Sequence, residues 1–366
     1  MTTILRPYAR SVVTVGEHGG AHRAALRAGV SVLLPFLVLL ALGHVEWSIY
    51  AAFGAFTSVY GRNAVRSARL RMQAAAAAVM VGSVLLGSVV AILPGREWAV
   101  VIVASVWAIA AARVSDVFRF TPPGPLFAVF GLCATASAPG SAANIPVAFA
   151  VAAASALLAL LIGQVGRVRR RLQQAPDARG GVGPAESPAR PSTRAARPLI
   201  RAPRPALRLH HTLRYGIATA IAGLLSTGLG IGHPYWAMVA AIVPLVAADL
   251  PNAFVRGTHR VLGTVAGLAV AWLLLLLEPS GLVAILLVVA LQIAAELVVM
   301  RNYGLALVFV TPLALLMIDL VHPGDPGQLI ADRGVETLLG TLVAVAVACA
   351  SWLMTRRQVA STGTLA

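Results

Sequence analysis

The feature that most restricts this chain is a succession of apolar runs, each bounded by arginine, proline or glycine, extending from residue 28 to residue 355. Twelve are read, at about 28–43, 46–60, 73–93, 98–112, 124–138 and 147–166, then 211–231, 236–250, 261–277, 281–299, 304–320 and 330–355. Several are shorter than the roughly 20 residues that cross a bilayer core. A soluble domain carries roughly 25% charged residues. This chain has 11%, with 58% hydrophobic residues and a mean hydropathy of +0.83. So little charge cannot cover a surface facing water. In hydrocarbon, by contrast, each backbone polar group must be satisfied inside a helix or a closed barrel. The runs predict an all-α, polytopic membrane protein with about twelve transmembrane helices.

Charge placement tests that count. All 29 basic residues are arginine and lysine is absent, a bias expected of a GC-rich genome. With both termini inside, 27 of the 29 arginines fall on inner segments, and only Arg96 and Arg333 do not. One helix too many before the linker would swap sides for everything after it, so the distribution supports twelve spans. A net charge of +16 on a soluble protein would suggest a nucleic-acid partner. Here the arginines are topological, and the partner they imply is the lipid bilayer.

The expected organisation is an inner segment at 1–27, six helices at 28–166, a basic linker at 167–210, six helices at 211–355 and an inner tail at 356–366. The linker, rich in Pro, Gly, Arg and Ala, reads as a disordered tether, either a plain topological anchor or a segment lying on anionic lipid. The flanking halves correspond. ALRAGVS (25–31) matches TLRYGIA (212–218), and GHVEW (43–47) returns 189 positions later as GHPYW (232–236). Arg71 with its following apolar run matches Arg260. Both halves start inside, so they read as two parallel six-helix repeats. A monomer suffices for such an arrangement, and a homo-oligomer stays open.

Each GH..W element falls at the hairpin between the first two helices of its half. Glycine permits a tight turn there, and tryptophan suits the water–lipid boundary. His44 and His233 are either proton acceptors at this mouth or turn residues bonded to backbone. In RGTHRVLGTVAG (256–267), Arg256, His259, Arg260, Gly263 and Gly267 share one helical face, and the two glycines form a GxxxG. Arg62, Arg66, Arg69 and Gln73 make a similar face in the first half. These faces read either as topological arginines or as an anion-attracting inner vestibule. Among acidic residues near the spans, Glu296 and Asp319 are candidates for proton coupling or for structural ion pairs. Cys133 and Cys349 have no metal or disulfide spacing. Without lysine there is no Walker motif, and HExxH and GxSxG are absent, so neither an enzyme nor a cofactor is implied.

GHPYWAMVAAIVPL (232–245), RGTHRVLGTVAG (256–267), YGLALVFVTPLALL (303–316) and DRGVETLLGTLVAVAVA (332–348) together resemble the fusaric acid resistance-like family, which includes aromatic carboxylic acid exporters. The first half keeps GHVEWSIYAAFGAF (43–56) and PPGPLFAVF (122–130) but lacks the RxxxTLLG element. The resemblance implies efflux of small organic, aromatic carboxylate-type anions driven by an ion gradient, across a bacterial inner membrane. It implies a substrate pathway at Tyr235, Trp236, Arg256, Arg260, Thr264, Thr311 and Pro312, with Trp47 and Arg71 in the first half. A passive anion channel and a non-transporting scaffold acting through the linker are the alternatives.

Overall fold

The computed structural model describes residues 11–16, 21–62, 64, 66–138, 140–165, 205–321 and 323–363. Arg6, Arg10 and the linker up to residue 204 lie outside them. All regular structure among the described residues is helical. The α-helices are α1 (His22–Ala41), α2 (Ser48–Ala55), α3 (Arg66–Ala91), α4 (Arg96–Phe118), α5 (Leu126–Ser137) and α6 (Asn144–Val165) in the first half. The second half contributes α7 (Pro205–Gly228), α8 (Tyr235–Ala240), α9 (Leu250–Leu275), α10 (Gly281–Val298), α11 (Tyr303–Val321) and α12 (Pro326–Gly363).

Every apolar run coincides with a helix, but not every helix is long enough to cross a membrane. By length and composition, eight are: α1, α3, α4, Asn144–Gln164 of α6, α9, α10, α11 and Pro326–Arg356 of α12. Where the sequence predicts twelve crossings, eight helices among the described residues are long and apolar enough to make one. The 126–137 run is a 12-residue helix that begins only after PPGP. The two second-position runs are broken. The run at 46–60 divides into a 3-10 turn, the eight residues of α2 and a second 3-10 turn. The run at 236–250 divides into the six residues of α8 and a 3-10 turn at Pro244–Val246. Breaking a helix frees carbonyls, and buried carbonyls need donors. Arg69 supplies two of them, from Nε to Gly61 O at 2.9 Å and from Nη2 to Arg62 O at 2.9 Å. Gln73 Nε2 donates to Tyr60 O at 3.1 Å. In the second half the Tyr215 hydroxyl donates to Leu245 O at 3.3 Å.

Helix packing runs in parallel through the halves. In the first, α3 packs on α5 and α6, and α2 on α6; in the second, α9 packs on α11 and α12, and α8 on α12. The halves are joined by exchange: α1 packs against α10 of the other half, and α7 against α4. A close crossing is α9 on α11, made by the GxxxG: a Cβ on Gly263 would fall 2.3 Å from Gly304 O. Only glycine allows that approach. The helix is inside-out relative to a soluble one. Gly257, Arg260, Gly263, Thr264 and Gly267 are buried, whereas Leu262, Val265 and Leu273 are exposed where lipid would lie. Asp249 starts α9 as N-cap, accepting from Asn252 N at 2.8 Å, with Pro251 in the first turn.

Candidate functional site

The GHPYW turn is held by the DRGVETLLG segment of α12, a partner 100 residues away in sequence. Glu336, fully buried, accepts three hydrogen bonds: from Ser226 Oγ at 3.1 Å, from the His233 backbone N–H at 3.1 Å and from the Trp236 backbone N–H at 3.1 Å. The His233 ring Nδ1 donates to Asp332 Oδ2 at 2.8 Å. One turn beyond Glu336, a Cβ on Gly340 would sit 2.1 Å from Ala237 O, so α12 lies directly on the backbone of α8. In the second half, glycine and histidine thus stand where a short broken helix is anchored to α12.

Behind the turn lies a buried basic centre. Arg333 is 1% exposed, and its guanidinium carbon stands 3.6 Å from the centroid of the Trp236 ring. Phe130 of α5 also packs on that tryptophan, at 5.2 Å between centroids, which places the centre on the seam between the halves. Arg333 Nε and Nη1 have no hydrogen-bond partner among the described residues. The charge of Glu336, three residues on along α12, acts on Arg333 without a direct ion pair, since the salt bridges among the described residues are His44–Glu46, Arg62–Glu296 and His233–Asp332. Arg260 is 3% exposed and reaches the Tyr303 hydroxyl from Nη1 at 3.5 Å, leaving Nε and Nη2 unpartnered. It is near enough to Arg333 for the two cations to repel.

The register of α9 on α12 shows what lies between them. A Cβ on Gly257 would stand 3.2 Å from Thr341, and one on Gly334 would stand 3.4 Å from Leu268. Antiparallel packing in that register sets Thr264 level with Thr337, with Arg260 a turn to one side and Arg333 a turn to the other. The hydroxyls of Thr264, Thr337 and Thr311 and the indole N–H of Trp236 are likewise buried without partners. Moving one ion out of water costs several kcal/mol even after relaxation. Two guanidinium groups held this way form a receptor for negative charge, with hydroxyl and indole donors around it.

The sequence-predicted residues divide. Tyr235, Trp236, Arg260, Thr264, Thr311 and Pro312 are buried around the centre, and His233 adjoins it at the turn. Arg256 lies a turn below Arg260, with its guanidinium carbon 5.9 Å from the Tyr303 ring centroid. The first-half residues do not join them. Arg71 is exposed, while Trp47 is half-buried and stacks on His44 at 3.9 Å. His44 pairs with Glu46 at 3.0 Å. Slight burial raises the Glu46 carboxyl, but bonds from His44 and its own backbone, with the His44 charge, lower it further, below the ordinary value. Glu296 is spent on Arg62, which pairs with its carboxylate and donates from Nη2 to its carbonyl at 3.2 Å. Asp319 is partly buried near the end of α11, away from the arginines.

Arg333, Asp332, Glu336 and Ser226 were not among the expected site residues. One signal pointed to them: Arg333 is one of two arginines on the wrong side of the charge rule, and it shares an apolar run with Glu336. A further contact closes the opposite end of α9. Residues 11–16 cross under it, where the Val12 carbonyl accepts from His259 Nε2 at 2.9 Å and Asn302 Nδ2 at 3.0 Å. Gly16 and Arg301 exchange two bonds, from Gly16 N to Arg301 O at 3.0 Å and from Arg301 Nε to Gly16 O at 3.0 Å.

Fold and site together define a multi-pass helical membrane protein with a basic centre in its interior whose arginines form no salt bridge among the described residues. Residues 217–347 match the family described as fusaric acid resistance protein-like, so the likeness to that family lies in the second half of the chain. The match contains Arg260, Tyr303, Arg333, Glu336 and the whole GHPYW turn. Over 136 residues the chain is 28% identical to the membrane protein YvaC of Bacillus subtilis (strain 168), a stretch covering 37% of this chain and 22% of that protein. The chain thus spans about a fifth of the length of that relative. No solved structure matches.

Proposed function

We propose that the chain is a transporter that exports small organic anions, of the aromatic carboxylate type, from the bacterial cytoplasm across the inner membrane. The observation that carries this reading is the pair of buried arginines, Arg260 and Arg333, whose remaining guanidinium N–H groups have no partner. A protein that buried two cations for stability alone would pair them, because apolar residues in their place cost less. Trp236, Tyr235, Phe130 and Tyr303 around them suit a flat apolar body attached to the anionic head. The arginine distribution supports cytoplasmic termini and an inward-facing Arg256.

The repeated packing pattern, with first helices exchanged between halves, supports two parallel six-helix units around an axis along the membrane normal. The centre is closed by residues 11–16 at one end and by the Glu336 network at the other. Closure at both ends favours alternating access over a standing pore.

The test is uptake of labelled 4-hydroxybenzoate into inside-out membrane vesicles, with and without an imposed proton gradient, against vesicles lacking the protein. Accumulation that requires the gradient is the expected result. Equilibration without accumulation assigns a passive channel, and no flux across a panel of anions removes the transport reading.

A further inference from the structure

Among the described residues Glu336 is a buried carboxylate beside the basic centre: its charge acts on Arg333, but its hydrogen bonds all go elsewhere. Its two oxygens gather donors from separate elements: the Ser226 hydroxyl at the end of α7, and the backbone N–H groups of His233 and Trp236 that bracket the break before α8. Trp236 is the residue that covers Arg333. The carboxylate thus fixes the position of the lid on the cation. It lies close to the membrane face that bears the 232–236 turn, because its neighbours His233 and Asp332 are partly exposed, with side chains 28% and 15% accessible.

An ionised carboxylate only accepts hydrogen bonds, whereas a protonated one must place a donor of its own and accepts more weakly. Three donors converge on Glu336, so adding a proton sets that new donor against them and lowers the strength of each bond. We propose that Glu336 is a proton-operated latch. Ionised, it holds α8 and Trp236 over Arg333; protonated from the face bearing the 232–236 turn, it releases the His233 and Trp236 amides and lets α8 carry Trp236 off the arginine. No covalent bond changes, and the proton comes from the aqueous phase on that face. The other charged and titratable groups around the latch are Asp332 and Arg333 on α12, His233 and Tyr235 beside the break, and Arg260 on α9. From α7 comes the Ser226 hydroxyl.

The consequence for transport rests on reading the centre as an anion site: a proton admitted at this face uncovers Arg333 to the same face, which links proton entry to anion release. The latch itself is tested without transport. Full-length protein in lipid nanodiscs is followed by hydrogen–deuterium exchange of peptides covering residues 226–240, corrected for intrinsic exchange, from about pH 10 to about pH 5, a range that brackets both ordinary and strongly buried carboxylates. The expected result is a several-fold loss of protection on acidification in the wild type and a pH-independent, weakly protected segment in Glu336→Gln. Asp332→Asn, which removes the charge facing the His233 ring while keeping an acceptor, should keep the step. An unchanging wild type, an equal step in Glu336→Gln, or a step abolished only by Asp332→Asn each overturns the proposal. An intact step in protein that moves no anion at any pH retains the latch and removes the transport reading instead.

Discussion

At the scale of single residues, the site turns on whether arginines in a membrane interior serve a ligand or the fold. For Arg260 the ligand reading predicts that Arg260→Ala lowers anion export about tenfold or more at matched protein abundance, since a charged hydrogen bond is worth roughly 1.5–3 kcal/mol and 1.4 kcal/mol is a factor of ten. Unchanged export would remove Arg260 from the pathway. For Arg333 the two readings diverge further. If its charge is there for an anion, Arg333→Met relieves an uncompensated burial and should leave the thermal midpoint of the purified protein unchanged or higher while export falls. A large drop in the midpoint would make Arg333 a packing element through its contact with Trp236. The sequence showed Arg260 because its helical face is periodic and local. It did not show Arg333, because the partners that define it, Trp236 and Glu336, meet only when segments 100 residues apart pack. Arg69 taught the reverse: read either as a topological arginine or as part of a basic vestibule, it caps a broken helix.

At the scale of elements, apolar composition located every helix but could not distinguish a crossing helix from a broken one. The runs at 46–60 and 236–250 read as apolar segments like the others, yet both are broken, the second at Pro244, and the carbonyls freed there take donors from other helices. The contact of α8 with α12 tests this. Gly340→Ala places a methyl against Ala237 O, where a Cβ would sit at 2.1 Å, so α12 must shift. Overpacking of this kind costs about 1–3 kcal/mol. The thermal midpoint should fall by several degrees, whereas Gly228→Ala, with open space around its Cβ position, should leave it within error. Residues 11–16 form a second element-scale device, tied by His259, Arg301 and Asn302 to the end of α9 that carries Arg256 and Arg260. Asn302→Ala removes two of those bonds and should speed anion entry from that side, read as a higher initial rate in inside-out vesicles. An unaltered rate would mean that the segment lies on the mouth without restricting it.

At the scale of the whole molecule, helices from the first half of the chain pack on helices from the second, and that exchange decides how separable the halves are. Were each half to pack only on itself, cutting between them would leave two bodies held by the bilayer alone. Instead α1 lies on α10 and α7 lies on α4, so each half completes a helix pair begun by the other. The Cβ position of Gly29 on α1 falls 2.5 Å from the Ile293 side chain on α10, and that of Gly216 on α7 falls 2.6 Å from Ile109 on α4. Both seams are made at positions where a glycine receives an isoleucine. A protease site placed between residues 166 and 205 should therefore cut the chain without parting it. The two fragments are expected to copurify in mild detergent, and export by the cleaved protein should match that of the intact one. Substituting leucine at Gly29 and Gly216 together should separate the cleaved fragments, because both seams lose their fit, while the uncleaved chain stays whole through its covalent linker. If the cleaved wild-type fragments part on their own, the seams are too weak to hold a shared centre, and the Phe130–Trp236–Arg333 stack that spans them could not persist as a binding site.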